Sequence, residues 1–230
     1  MNEAIVLAGG FGTRLRPVVS DLPKPMAPVN GRPFLELLLE YWMTQGVERF
    51  ILSVGYLADK VIAHFGNAWR GAHISYAREA EPLGTGGGLL LAAAQAQSDE
   101  LLVLNGDTFF AVEFQALLGF HRERVADCTL SLFRSADTER YMGLRLAPDG
   151  RILELSASRG GLANGGVYMF RTAALRLLPW QPGERASLEA DMLSHGLASD
   201  WRIFGHECAG TFIDIGVPED YRRAAQILGA

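Results

Sequence analysis

The sequence predicts an α/β fold: an open sheet, mixed but mostly parallel, with helices on both faces. Three observations carry this reading. Strand-like apolar runs alternate with helix-length amphipathic stretches along most of the 230 residues, the pattern of βαβ units. Residues 4–7 and 101–104 are unbroken apolar runs, as expected of strands covered on both faces. A glycine-rich segment follows the first of these runs, and open α/β sheets bind ligands beyond the carboxyl ends of their strands.

Each element can be justified in order. Strand 4–7 leads into Gly9, Gly10 and Gly12, whose backbone can approach a bulky ligand closely. Residues 34, 35, 38, 41 and 42 form one apolar helical face over 34–45, which stops at Gly46. A strand at 49–54, a helix at 57–66 and a strand at 73–77 follow. The turn 81–85 (Glu-Pro-Leu-Gly-Thr) opens a helix over 86–96, and 101–104 is the fourth strand. Past Asp107 come a helix at 112–124 and an alternating strand at 128–133. A hairpin of 143–146 and 152–155 turns at 148–151 (Pro-Asp-Gly-Arg). A strand at 166–170 precedes a helix at 187–197, with Ser187 as its cap and Glu189 in its first turn. Residues 201–204 and 211–213 close the sheet, and 219–228 is a last helix. No repeat, low-complexity stretch or linker divides the chain. It reads as a single domain over 1–230, with a ligand-binding half of about 1–110 and a second half, about 111–230, that extends the same sheet.

Composition excludes several functions. At 49 % hydrophobic residues the chain can fill a large core, yet no apolar run reaches the roughly 20 residues that cross a bilayer. No membrane role is expected. Residues 1–3 run straight into strand one, so no signal peptide is expected. Cys128 and Cys208 lie far apart and form no metal or redox motif; both read as buried thiols of a cytoplasmic protein. The net charge of −5 argues against a nucleic-acid partner but leaves room for a small basic pocket.

Such a pocket is written into residues 7–26. Bare N–H groups of a glycine loop make a nest for phosphate oxygens, and Arg14, Arg16 and Lys24 add positive charge within the same loop. Only Lys24 and Lys60 are lysines in a chain that otherwise uses arginine, and Lys60 sits in an ordinary helical context. A dinucleotide fingerprint fails because Leu15 stands where a third glycine is needed and the second strand ends without a carboxylate. A P-loop fails because no Gly-Lys-Ser/Thr occurs. Asp107 follows the fourth strand, on the edge where the loop also lies. Asp214 stands among β-branched and aromatic residues, where a charge needs a partner or a metal. Two carboxylates plus substrate phosphates is the usual way to hold Mg²⁺. No serine-hydrolase elbow or zinc motif is present, and the five histidines are scattered. Direct displacement at phosphorus is the simplest chemistry left.

Together these segments resemble the sugar-1-phosphate nucleotidyltransferases. The resemblance rests on residues 7–26, on 81–86, on Asn105-Gly106-Asp107 and on 214–221, in order along nearly the whole chain. It implies a Rossmann-like sheet of the nucleotide-diphospho-sugar transferase type. It also implies a reaction in which a sugar 1-phosphate attacks the α-phosphorus of an NTP and pyrophosphate leaves. Arg14, Lys24, Asp107 and Asp214 would be the catalytic set, with Mg²⁺ on Asp107 and Asp214. Leu7, Ala8, Gly9, Gly10, Gly12, Thr13, Glu79, Gly84 and Thr85 would bind nucleotide. Gly143, Asn164, Gly165 and Glu189 would bind sugar. Relatives often carry a Glu-Lys pair where this chain has Ala157-Ser158-Arg159, which leaves two alternatives: Arg159 takes the role of that lysine, or Lys24 holds the sugar phosphate on its own.

The partners implied are an NTP and a sugar 1-phosphate. Glu79 falls where relatives read the base edge, and a carboxylate suits the two donors of guanine, which favours GTP over UTP. In detail, residues 104–110, 25–28 and 33–36 are most similar to the D-glycero-D-manno-heptose 1-phosphate guanylyltransferases. The alternatives are a uridylyltransferase of N-acetylmuramic acid 1-phosphate, a mannose or glucose 1-phosphate enzyme, and a non-catalytic nucleotide-sugar sensor. The oligomeric state is not legible.

Overall fold

The computed structural model describes residues 2–10, 15, 19, 21–135, 143–156 and 161–229. In chain order the first half holds β1 (Glu3–Leu7), a 3₁₀ turn (Lys24–Met26), β2 (Pro28–Val29), β3 (Arg32–Pro33), α1 (Phe34–Thr44), β4 (Arg49–Val54) and α2 (Ala58–Phe65). It continues through β5 (Ala68–Trp69), β6 (Ala72–Arg78), α3 (Gly84–Ala93), β7 (Glu100–Asn105) and β8 (Thr108–Phe110). Then come α4 (Phe114–Glu123), β9 (Cys128–Arg134), β10 (Gly143–Leu146), β11 (Ile152–Ser156), β12 (Leu162–Arg171) and α5 (Thr172–Leu175). A π-helix (Leu188–Leu193), α6 (Ser194–Ala198), β13 (Ile203–Glu207), β14 (Phe212–Asp214) and α7 (Pro218–Ile227) complete the described chain.

The centre of the main sheet runs β7-β1-β4-β6, all parallel, with β12 antiparallel beside β7. β9 pairs with β12, and β13 lies parallel to β9. From β1 the chain moves outward to β4 and β6, then returns to place β7 on the other side of β1. The crevice beyond Leu7 and Asn105 is therefore a topological switch point, where open α/β sheets bind ligands.

The pleat divides the core into two layers. Ala4 and Val6 of β1 join Phe34, Trp42 and Phe50 on one face. Ile5 joins Ile51, Leu89, Val103 and Tyr168 on the other. Strands buried on both faces explain the unbroken apolar runs.

Three expectations need correction. Residues 211–213 do not close the main sheet: β14 pairs antiparallel with β8 in a separate two-stranded sheet. β8 is three residues long, too short for hydrophobic periodicity to reveal it. The helix expected over 187–197 is π-helical from Leu188 to Leu193 and α-helical only over Ser194–Ala198. Ser187 is its cap, accepting from the Ala190 N–H at 3.1 Å. The 86–96 helix begins two residues earlier, at Gly84, and ends at Ala93.

Candidate active site

Two main-chain bonds hold the glycine loop against its neighbouring strands. Ala8 donates to the Ser53 carbonyl at 2.8 Å, and Gly106 donates to the Leu7 carbonyl at 3.0 Å. A Cβ on Gly106 would stand 2.7 Å from the Leu7 oxygen, so only glycine lets the chain after β7 press against the end of β1. This approach delivers Asp107 to the loop. A cavity of about 380 Å³ opens there, walled by Leu7, Ala8, Gly9, Gly10, Lys24, Ser53, Glu79, Gly84, Thr85, Asn105, Asp107 and Arg185.

Lys24 caps this cavity from the 3₁₀ turn, which Pro23 and Pro25 stiffen. Its ammonium is ion-paired with the Asp107 carboxylate, and its side chain is 10 % exposed against 36 % for the aspartate. The hydroxyl of Thr108 lies 3.3 Å from the other Asp107 oxygen. The β8–β14 pairing sets Asp214 opposite Thr108, and Ile215 donates to the Asp107 carbonyl at 3.0 Å. Gly216 N–H donates to Asp214 Oδ1 at 2.6 Å. A Cβ on Gly216 would stand 2.6 Å from that oxygen and 2.7 Å from Lys24 Nζ. Lys24, Asp107 and Asp214 therefore converge, although 107 residues separate the two aspartates in sequence. Asp214 also lines a wider hollow of about 720 Å³ with Phe133, Cys208 and Arg223.

The donor set fits a magnesium ion. Both aspartates offer hard oxygens at one point, and magnesium needs few protein ligands when substrate phosphates supply the rest. Among the described residues no cluster of three or more His, Cys, Asp or Glu side chains forms, so this is no self-sufficient metal cage.

Glu79 stands on the cavity wall with both oxygens engaged. Ser53 Oγ donates to Oε1 at 3.1 Å and Leu83 N–H to Oε2 at 3.0 Å. On the far side, Asn164 Nδ2 donates to the Tyr168 hydroxyl at 2.8 Å, which donates to Glu189 Oε1 at 2.9 Å. Thr85 Oγ1 approaches Glu189 Oε2 at 3.4 Å and accepts from Leu188 N–H at 2.8 Å. Tyr168 is wholly buried; burial first, and the Glu189 charge second, hold its hydroxyl well above the usual phenol range. It stays a donor at any physiological pH.

Gly143 sits opposite Ala163, one residue from Asn164. Gly165 has a packing reason to be glycine, since a Cβ would run into the Phe110 ring and stand 3.0 Å from the Ser131 carbonyl. Gly12, Thr13, Arg14 and Arg159 lie outside the described residues. Sequence reasoning missed Ser53, Asn105, Tyr168 and Arg185. Ser53 could have been noticed as the polar residue in an apolar strand; Tyr168 and Arg185 carried no signal.

The chain matches the nucleotidyl transferase family over residues 3–229. The chain belongs to this family. The nucleotidyl transferase is 39 % identical over 229 residues to the D-glycero-alpha-D-manno-heptose 1-phosphate guanylyltransferase of Aneurinibacillus thermoaerophilus, covering 98 % of each chain. It is 35 % identical to the enzyme of the same name from Campylobacter jejuni, covering 95 % of this chain and 96 % of the other. Its fold matches the crystal structure of HddC from Yersinia pseudotuberculosis with a TM-score of 0.86 and 32 % identity, over 98 % of this chain and 99 % of that one. HddC has also been solved in complex with GMP-PN. Among the described residues of the nucleotidyl transferase, no helix is long and apolar enough to cross a membrane.

Proposed function

We propose that this nucleotidyl transferase joins GTP and D-glycero-D-manno-heptose 1-phosphate into the GDP-sugar, with release of pyrophosphate. The observation that carries the reading is the meeting of Lys24, Asp107 and Asp214 at the mouth of the Gly9–Gly10 cradle. The full-length identity to two heptose 1-phosphate guanylyltransferases, and the GMP-PN complex of HddC, support the choice of sugar and base.

Magnesium, when bound, neutralises phosphate charge and favours departure of pyrophosphate. Asp107 and Asp214 are the residues that would hold it. Main-chain N–H groups of the loop at Gly9, Gly10, Gly12 and Thr13 would cradle the phosphates, with Leu7 and Ala8 forming the floor beneath the nucleotide, and Arg14 would grip the triphosphate. Lys24 exchanges its Asp107 partner for the α-phosphate and the incoming sugar phosphate, drawing the two anions together. An oxygen of the sugar phosphate forms the new bond to the α-phosphorus as the bond to the bridging oxygen breaks. That oxygen is largely ionised at neutral pH, since the second pKa of a phosphate monoester is about 6, so no general base is required. Glu79 accepts the N1–H and amino donors of guanine beside the turn at Gly84 and Thr85. The sugar rests against Gly143, Arg159, Asn164, Gly165 and Glu189 in the half of about 111–230, while the nucleotide occupies the half of about 1–110.

The test is a pyrophosphate-release screen of four NTPs against heptose, mannose, glucose and N-acetylmuramic acid 1-phosphates with Mg²⁺. GTP with the heptose phosphate should give the highest kcat/KM. A maximum with UTP and N-acetylmuramic acid 1-phosphate would overturn the assignment, and nucleotide binding without pyrophosphate release would mark a sensor.

A further inference from the structure

We propose that the Ser53 hydroxyl is a positioning residue for base selection, acting by orienting the Glu79 carboxylate. The proposal rests on the reading of Glu79 as the base-contacting group. Ser53 is only 1 % exposed and ends the apolar run Phe50-Ile51-Leu52, yet it reaches the cavity wall. Its main chain holds Ala8, the first residue of the phosphate loop, while its hydroxyl donates to Glu79 Oε1 at 3.1 Å.

The carboxylate is wedged. Leu83 N–H donates to its second oxygen at 3.0 Å. A Cβ on Gly88 would stand 2.8 Å from Ser53 Oγ and 3.1 Å from Glu79 Oε1, and a Cβ on Gly9 would overlap the Glu79 carboxyl group. Two donors and two bare glycines thus fix the plane of the group. A carboxylate has about four acceptor positions, so two are left for a ligand. Glu79 borders both the main cavity and a smaller hollow of about 180 Å³ lined by Gly9, Gly55, Tyr56 and Pro82. Guanine presents two neighbouring donors and needs both remaining positions in one plane. Uracil presents one N–H between two carbonyl oxygens and gains little from that plane. Without the hydroxyl the carboxylate pivots on Leu83 alone, and the second guanine bond is lost.

The experiment measures Kd for GTP and for UTP by calorimetry with Mg²⁺, on wild type, Ser53→Ala, Glu79→Gln and the double variant. The ratio of the two affinities is the readout, because a general loss of stability weakens both nucleotides alike. Ser53→Ala and Glu79→Gln should each lower the GTP preference by about tenfold, the scale of one charge-assisted hydrogen bond, and the double variant should lose no more than either single change. A wild-type ratio in Ser53→Ala beside a reduced ratio in Glu79→Gln overturns the role of Ser53 and leaves the role of Glu79 standing. A wild-type ratio in Glu79→Gln overturns both. Additive losses in the double variant also overturn the proposal, since the hydroxyl would then act apart from Glu79. Should Ser53→Ala not fold, Ser53→Cys, whose thiol is a weak donor, asks the same question and must lower the ratio likewise.

Discussion

Individual side chains decide the chemistry. Asp107 is balanced by Lys24 and contributes little to the core, so Asp107→Ala should abolish pyrophosphate release while the melting temperature stays within a few degrees of wild type. Lys24→Ala should slow turnover by about 10²–10³, the scale of one preorganised group at a developing charge. A loss under threefold in a kcat assay would show Lys24 to be a surface cation. Tyr168 holds two of the proposed sugar contacts together. Tyr168→Phe keeps the ring and should raise KM for the sugar 1-phosphate about tenfold while leaving KM for GTP unchanged. A variant that lost both affinities equally would assign the hydroxyl to folding alone. That Asp107, Lys24, Gly9 and Gly10 belong to one site was legible in the sequence because each is an unusual residue in its setting: a carboxylate at a strand end, one of two lysines, bare backbone beside cations. Tyr168 was not, because a tyrosine in an apolar strand looks like any other core residue until its hydroxyl is seen to bridge Asn164 and Glu189.

Secondary-structure elements decide where those side chains meet. The segment after β7 reaches the glycine loop only because Gly106 allows contact with the Leu7 carbonyl. Gly106→Ala should push Asp107 away from Lys24, lower kcat at least tenfold and destabilise by about 1 kcal/mol or more; stopped-flow kinetics and denaturant titration would measure the two effects. Gly84, Gly86 and Gly87 play a parallel part in α3. The carbonyl of Ala186 accepts from Gly86 and Gly87 at 2.9 and 3.1 Å, docking the segment before the π-helix onto the first turn of α3. A Cβ on Gly84 would stand 2.6 Å from that carbonyl oxygen. This docking carries Glu189 to Thr85 and Arg185 to the cavity rim. The strand and helix runs were readable from periodicity. The π-helix was not, because its wider turn changes which residues share a face without altering composition.

Two apolar layers hold the described residues together on either face of a sheet in which ten of their strands pair. One buried polar group makes this stability depend on pH. His121 is 2 % exposed, bonded through Nδ1 to Thr129 at 2.8 Å, and burial lowers its pKa from 6.5 to about 4. The folded state prefers the neutral ring. Its contribution is therefore fully present above pH 6.5 and is lost as pH falls toward 4, because the unfolded chain binds the proton first. On the order of 3 kcal/mol is at stake. Urea titrations between pH 7 and pH 4 should show a steeper loss in wild type than in His121→Leu, and parallel curves would remove the histidine from the account.

The order of the main strands and helices, the glycine loop and the two aspartates were set by local signals: period, glycine and isolated charge. These signals work because backbone geometry and burial act over a few residues at a time. That Asp214 stands beside Asp107 depends on the pairing of two three-residue strands, β8 and β14, which carry too few residues to advertise a partner. That Ser53 meets Glu79 depends on the side-by-side register of β4 and β6 and on glycines whose missing side chains matter only once another segment lies against them. Contacts between distant segments are chosen by the packing of the finished fold, and only the folded chain could show them.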